Sequence, residues 1–183
     1  NPPRGRDDLL SSPELTNLRE LNGLGHPSQA SHLRTVAGSK ATSRLKKLVV
    51  YCNPMGSGGA EVIAGSKNFS ELESLELNTC SIGDAGLAAI LRSPHLGKLK
   101  QLHLPQNNLA VDAARSLIRH LHLKQLSELG LYCNHFGDDG SRALALNPAL
   151  ERLKRLDLGL NRIGSDGARA LAGSPFLVKL KRI

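Results

Sequence analysis

The stretch Leu153-Lys-Arg-Leu156-Asp-Leu158-Gly-Leu-Asn161-Arg-Ile163 decides the fold of this chain of 183 residues. Its spacing recurs every 27 residues. The first leucine of the stretch recurs as Leu18, Leu45, Leu72, Leu99, Leu126 and Leu180. The next two columns contain Leu21, Leu48, Leu75, Leu102, Leu129 and Ile183, and then Val50, Leu77, Leu104 and Leu131. So many columns at one fixed period exclude a chance pattern and indicate a repeat protein.

The first half of each unit is predicted to be a short strand. Its apolar residues alternate with period two, which is typical of a strand with one buried face. An asparagine column follows the strand: Asn53, Asn107, Asn134 and Asn161, with Cys80 in one unit. An amide both donates and accepts hydrogen bonds, so we expect this column to satisfy the backbone of neighbouring turns. The thiol of Cys80 is a weak donor and should do this less well.

The second half of each unit is predicted to be a helix. Glycines at Gly56, Gly83, Gly137 and Gly164 provide the turn, and Ser57, Asp84, Asp138 and Ser165 are the expected N-caps. The predicted buried helix face contains Ile63, Ile90, Leu117, Leu144 and Leu171. The pattern therefore predicts an α/β fold: an open right-handed solenoid, or horseshoe. A parallel sheet would line its concave face and helices its convex face.

The ends of the chain depart from the repeat. Residues 1–14 are rich in Pro, Arg, Asp and Ser, and we expect a linker or disordered tail there. Residues 15–183 are the predicted solenoid. Its first unit is degenerate, with Gly23 and His26 in ladder columns, and is either a worn repeat or a cap. Because the sequence stops inside a seventh strand without a polar cap, we expect a monomeric fragment of a longer array.

These residues resemble the leucine-rich-repeat superfamily, specifically its ribonuclease-inhibitor-like branch, and also tandem repeats of large bacterial proteins. The resemblance covers residues 15–183 and is carried most clearly by residues 153–172. It implies a scaffold whose exposed positions vary to bind proteins, nucleic acids, lipids or small ligands. The inhibitor itself is acidic and suits a basic target. The net charge of +8 in this chain argues against the same target class.

The residues expected to bind a partner point outward from the concave strand face: Tyr51, Glu76, Asn78, His103, Tyr132 and Asp157. Tyr51 and Tyr132 share one column three units apart, and strand spacing would separate them by roughly 14 Å. Tyrosine is a favoured interface anchor because it offers contact area and a hydroxyl at low entropic cost. The alternative interpretation is that each ring merely covers a strand end.

A second candidate surface is a basic edge formed by Lys46, Lys47, Lys100, Lys154 and Arg155, with further cations in the same columns. Glu71, Glu73 and Ser127 interrupt it. Such a stripe would suit a polyanion, either a nucleic acid or an acidic protein. No aromatic residues are interleaved for base stacking, which weakens the nucleic-acid alternative. A solvated, solubilising edge is the other interpretation.

Catalytic and metal chemistry have little support in the sequence, and we expect no cofactor. Glu76, His103 and Asp157 share a column, but no nucleophile lies beside His103. His95, His120 and His122 lack the spacing and the further ligands of a metal site. The three cysteines are expected to be reduced thiols, which favours the cytoplasm. No run approaches the roughly 18 apolar residues of a membrane span.

The sequence thus predicts a non-enzymatic scaffold that docks a protein on its concave face. Electrostatic binding of a polyanion along the basic edge is the alternative. A passive spacer within a longer repeat array is a third possibility.

Overall fold

The computed structural model describes residues 17–23, 30–52, 54–119 and 123–183. Six strands and six helices alternate along this part of the chain. The strands are β1 (Glu20–Asn22), β2 (Lys47–Tyr51), β3 (Ser74–Asn78), β4 (Gln101–His103), β5 (Glu128–Gly130) and β6 (Arg155–Asp157). The helices are α1 (Ala30–Gly38), α2 (Gly56–Gly65), α3 (Gly83–Arg92), α4 (Val111–Arg119), α5 (Gly137–Ala145) and α6 (Ser165–Ala172). Short 3-10 helices occupy Lys40–Thr42, Lys67–Phe69 and Pro148–Leu150.

All six strands form one parallel sheet in sequence order. Neighbouring strands pair in the register of the repeat, so that Leu48 lies opposite both Leu21 and Leu75. A bridge between Arg155 and Arg182 begins the pairing of a seventh unit. The predicted α/β solenoid of strand–helix units is therefore confirmed. The expected tail at residues 1–14, together with His26 and Asn53, lies outside the described residues.

The ladder residues form one continuous core between the sheet and the helices. Leu45, Leu72 and Leu99 are fully buried, and so are Ile63 and Ile90 on the helices. Leu171, on the last helix, is only partly buried because no further helix packs against that side. Full burial of one such side chain contributes about 1.5–3 kcal/mol. The predicted core face of sheet and helix is confirmed.

The asparagine column links successive turns through side-chain hydrogen bonds. Oδ1 of Asn134 accepts hydrogen bonds from the backbone N–H groups of Asn107, at 2.9 Å, and Leu109, at 3.0 Å. Its Nδ2 donates to the carbonyls of Leu104 and Leu131, both at 2.9 Å. Asn107 and Asn161 repeat this arrangement. In Cys80 the thiol donates over 3.6 Å and 3.4 Å to backbone carbonyls, so it replaces the amide donor only weakly.

The expected N-caps were wrong in one respect. Helices α2, α3 and α5 begin one residue before the predicted cap, α6 begins at the predicted cap Ser165, and none of these four helices has a side-chain cap of its own. Instead Asp138 accepts hydrogen bonds from Gly164 N–H, at 2.7 Å, and Gly167 N–H, at 3.0 Å, in the following unit. Asp84 does the same for Ala110 N–H at 2.8 Å. Stacking brings each helix N-terminus beside the next, so an acid serves its neighbour's free N–H groups.

A second polar ladder, which the sequence analysis missed, follows the helices. Ser66 donates to the carbonyl of Ala37 at 2.6 Å, and Ser93 donates to that of Ala64 at 2.5 Å. Each serine also accepts a backbone hydrogen bond two residues further on. The sequence signal was present, since small polar residues recur at this position with the period of the repeat: Ser39, Ser66, Ser93, Asn147 and Ser174.

Candidate functional site

The candidate site is the strand face, which we define as the outward-pointing positions of the parallel sheet and the residues that directly continue each strand. Three columns make up the strand face from β2 onward. They contain Lys47, Ser74, Gln101, Glu128 and Arg155; Val49, Glu76, His103, Gly130 and Asp157; and Tyr51, Asn78, Pro105, Tyr132 and Gly159. The positions between them are the buried leucines. The helices lie against the other side of the sheet, so this face is open to a partner.

The two tyrosines are the large hydrophobic side chains with substantial exposure on the described strand face: 44% for Tyr51 and 42% for Tyr132. They lean in opposite directions. A methyl group at Gly23, in the preceding unit, would approach the Tyr51 hydroxyl to 3.3 Å. One at Gly159, in the following unit, would approach the Tyr132 ring to 2.9 Å. Each ring thus lies over a glycine on the side away from the other tyrosine. The part of the strand face between the two rings, which we call the strip, stays open.

The polar residues of the middle column are each engaged with a neighbour. Glu76 forms an ion pair with Lys47, with 2.7 Å between Oε1 and Nζ. The hydrogen bond from Lys47 to Glu76 raises the pKa of Lys47. Glu76 and His103 are neighbours in register, but the His103 ring lies over Gly130, where a methyl group would meet Nδ1 at 2.5 Å. Asp157, two strands further on, accepts from the N–H of Gly159 at 3.0 Å. These groups do not converge on one point, so the column forms no acid–base arrangement.

Asn78 lies half-buried between the tyrosine positions. Its side-chain oxygen is buried and accepts no hydrogen bond within the described residues. The predicted partner-binding residues therefore share one face but fall into two regions. Tyr51, Glu76 and Asn78 belong to the neighbouring strands β2 and β3, whereas Tyr132 and Asp157 follow or lie on β5 and β6, and His103 on β4 turns its ring towards Gly130 of β5.

A shallow depression lies in the strand face around Gly130, between the His103 ring and Arg182. Its volume is about 300 Å³. The outward-pointing side chains that line it are His103, Glu128, Arg155, Asp157 and Arg182. Cations and carboxylates are mixed around its rim, so it is a polar recess on the face rather than an enclosed pocket.

Ion pairs between successive units compensate most of the positive charge in the first part of the predicted basic edge. Lys46 and Lys100 both bind Glu73, the latter at 2.6 Å. Hydrogen bonds from Lys100 and Lys46 lower the pKa of Glu73 to about 2. Lys98 binds Glu71 at 2.5 Å in the same way. The glutamates that interrupt the lysine columns are thus the partners of those lysines.

In the last two units of the basic edge, fewer cations have a carboxylate partner. Arg155 binds Glu128 at 3.3 Å, and Lys179 binds Glu151 at 2.9 Å. Lys154 lies beside Lys181, whose N–H donates to the Lys154 carbonyl at 2.8 Å. No described carboxylate forms an ion pair with either lysine. Of the predicted edge residues, Lys46, Lys47, Lys100 and Arg155 are therefore paired and Lys154 is not.

Groups that would support other chemistry were also located. Cys52, Cys80 and Cys133 are free thiols, exposed, buried and half-buried respectively. In the described ranges no three His, Cys, Asp or Glu side chains are placed to hold a metal ion. His120 and His122 lie outside those ranges. None of the described helices combines the length and apolar composition needed to cross a bilayer.

Comparisons with known proteins agree with this architecture. A family model described as "Leucine Rich repeat" matches residues 71–91 and 152–172. An internalin (inlF) from Listeria monocytogenes is similar in structure, with 19% sequence identity and a TM-score of 0.53 over 97% of this chain. The present chain spans about half the length of that internalin, 49%. The tropomodulin C-terminal domain of Caenorhabditis elegans has 14% identity and a TM-score of 0.49, covering 92% of this chain and 87% of that one. No curated protein matches the sequence.

The internalin likeness, at this identity, concerns the fold alone, and the ribonuclease-inhibitor-like branch stays a prediction. The repeat period, the register of the parallel sheet and the family match agree with one another. Together they identify the fold of the chain as a leucine-rich-repeat solenoid.

Proposed function

We propose that this chain is a non-catalytic protein-binding scaffold whose strand face docks a protein partner. The observation that carries the proposal is the pair of half-exposed tyrosines framing an open strip two strands wide. Solenoids commonly use such extended surfaces for binding. Leucine-rich-repeat domains generally bind proteins, and here the exposed side chains that vary between units lie on this face.

The tyrosines suit the role of anchors. Each ring is already held against a glycine of a neighbouring unit, so little conformational freedom is lost when a partner covers it. A central anchor typically contributes about 2 kcal/mol or more to binding when it is truncated to alanine. Loss of one anchor would therefore weaken a complex by roughly 30-fold.

The alternatives are less well supported by the same contacts. Binding of a polyanion along the whole edge would compete with the ion pairs of Lys46, Lys47 and Lys100. A passive spacer gives no reason for tyrosines at 44% and 42% exposure on an otherwise polar face. Catalysis would need convergent groups, and Glu76, His103 and Asp157 each have a separate neighbour.

The direct test is affinity capture from an extract of the source cells, using the whole chain and the double variant Tyr51→Ala/Tyr132→Ala. The matched control is Ile118→Ala, because Ile118 is exposed to a similar degree, 38%, but lies on helix α4. We expect a defined partner to be retained by the wild type and the control. It should be lost from the double variant, and its capture should persist in about 0.5 M NaCl, where surface electrostatics are screened.

Three results would contradict the proposal. One is equal capture by the wild type and the double tyrosine variant. Another is loss of the partner from the Ile118 control, which would assign binding to the helices. The third is an unchanged cellular function after in-frame deletion of one repeat unit, as expected for a passive spacer.

We further propose a reducing compartment, the cytoplasm, as the location of this scaffold. All three cysteines in the described ranges are free thiols, including the exposed Cys52. Exposed free thiols are typical of reducing compartments, since oxidising ones favour disulfides. Treatment with a thiol-reactive mass tag immediately after cell lysis should label Cys52. An oxidised or disulfide-linked Cys52 in the native protein would contradict this location.

A further inference from the structure

The uncompensated cations of the last two units form the free basic cluster, which we define as Arg152, Lys154, Lys181 and Arg182. All four are exposed. Lys154 and Lys181 are adjacent on neighbouring units, and Arg182 pairs in register with Arg155. Earlier in the same column the carboxylate of Glu73 lies between Lys46 and Lys100 and binds both. Arg19 and Lys46 are adjacent in the same way, but Lys46 binds Glu73, whereas neither Lys154 nor Lys181 forms an ion pair with a described carboxylate.

The carboxylates near the free basic cluster are already engaged. Glu151 binds Lys179 at 2.9 Å, and Glu128 binds Arg155 at 3.3 Å. Asp157 accepts the N–H of its own Gly159. Arg152 is close enough to Glu151 to contribute to lowering its pKa, but its guanidinium donates to the carbonyl of Lys124 at 3.1 Å. The described chain thus leaves the cluster without a carboxylate of its own.

Like charges directly opposite one another on neighbouring strands destabilise a sheet. An anionic group bound between them relieves this repulsion, whereas the same group at the Lys46–Glu73–Lys100 set would have to displace a carboxylate. The arrangement therefore selects where an anion binds along the edge. The favoured position adjoins the polar depression over Gly130, which Arg182 also lines.

We infer that the free basic cluster binds an acidic segment of the protein partner. This inference rests on the proposed function, because it names the chemistry of part of that partner. An extended acidic segment places carboxylates on one side about every 6–7 Å. The cations on adjacent strands are about 4.8 Å apart, and their long side chains can span the difference. A nucleic acid is less favoured: the nearest strand-face tyrosine, Tyr132, lies in a column roughly 16 Å along the strand, too far to stack bases beside the cluster.

The test uses fluorescence anisotropy with the whole chain and a dye-labelled peptide of twelve glutamates as the probe. The variant is Lys154→Glu/Lys181→Glu. The matched control, Arg34→Glu/Arg92→Glu, changes the net charge equally on exposed helical positions. At about 50 mM NaCl we expect the double reversal to weaken peptide binding at least tenfold, and the control to change it less than about twofold. Binding of the wild type should fall steeply by about 500 mM NaCl.

A second readout protects the test against misfolding. The single variant Lys154→Glu places a carboxylate beside Lys181, so its urea midpoint should equal or exceed that of the wild type. Equal weakening by the control, or unchanged peptide affinity in a folded Lys154→Glu/Lys181→Glu variant, would overturn the inference. Tighter binding of a twenty-nucleotide oligothymidine than of the peptide, lost in the same variant, would also overturn it, in favour of nucleic acid. Capture that depends on the tyrosines but not on Lys154 and Lys181 would leave the proposed function standing and remove only this inference.

Discussion

Replacement of Asn134 by alanine tests whether the asparagine ladder holds the turns of the solenoid together. The residue is 1% exposed, and its side chain makes hydrogen bonds to the preceding turn and to its own turn. Without it, the N–H groups of Asn107 and Leu109 and the carbonyl of Leu104 lose this partner. The carbonyl of Leu131 keeps a bond from Asn161 at 2.8 Å, so it is not orphaned.

The magnitude follows from these three groups. Each buried polar group left unsatisfied costs about 1–3 kcal/mol. Partial access of water to the turn favours the lower figure, so Asn134→Ala should reduce the free energy of unfolding by at least about 3 kcal/mol. For a chain of this length that corresponds to a melting temperature lower by roughly 6–12 °C. A loss of this size is a large part of the usual stability of a domain.

Urea denaturation followed by circular dichroism measures the effect. The matched control is His135→Ala, because His135 is the exposed next residue and its backbone hydrogen bond to Leu109 is unaffected. The control should remain within about 0.5 kcal/mol of the wild type. A loss below about 1 kcal/mol in Asn134→Ala would refute the reasoning, because it would mean that water or relaxation satisfies the three groups.

Three further predictions follow from inter-unit contacts. The pKa of Glu73, near 2, is below the usual 4.5 of a glutamate. This carboxylate therefore contributes stability that is present above pH 4.5 and is lost as the pH falls towards 2. Carbon-13 NMR titration should find the low pKa, and an ordinary value would contradict the ion pairs. Thr79 has a φ of 56°, unfavourable for a β-branched residue. Thr79→Asn should therefore raise the free energy of unfolding by about 1 kcal/mol in urea titrations, whereas a loss would mean that the strain is absent. Gly159→Ala should displace the Tyr132 ring and weaken partner capture without lowering the melting temperature by more than about 2 °C, whereas unchanged capture would argue against Tyr132 as an anchor.

The period of the leucine columns predicted nearly all of the fold, because it relates each residue to its partner 27 positions away. Leu48 opposite Leu75 and the Asn134 ladder follow from that spacing alone. The N-caps were misassigned for a related reason. Asp138 has the local sequence of a cap for its own helix, but stacking presents it to Gly164 and Gly167 of the next unit. The contact between units therefore overrode the local N-cap preference.

The sequence predicted which face carries the candidate site, but not which contacts its side chains make. Glu73 looked like a gap in the basic edge, and in the folded chain it is the shared partner of Lys46 and Lys100. The direction in which Tyr51 and Tyr132 lean depends on which adjoining unit has a glycine for the ring to cover. Such details depend on side-chain geometry across units, which column composition does not specify.

Site-specific photo-crosslinking tests the central claim most directly. A benzoyl-phenylalanine placed at position 132, on the strand face, is compared with one at position 118, on helix α4. Both are exposed to a similar extent in the wild type, 42% and 38%. The account predicts a discrete protein adduct from position 132 and none from position 118 after irradiation in the source cells. An adduct from position 118 alone, or the same adducts from both positions, would contradict docking on the strand face.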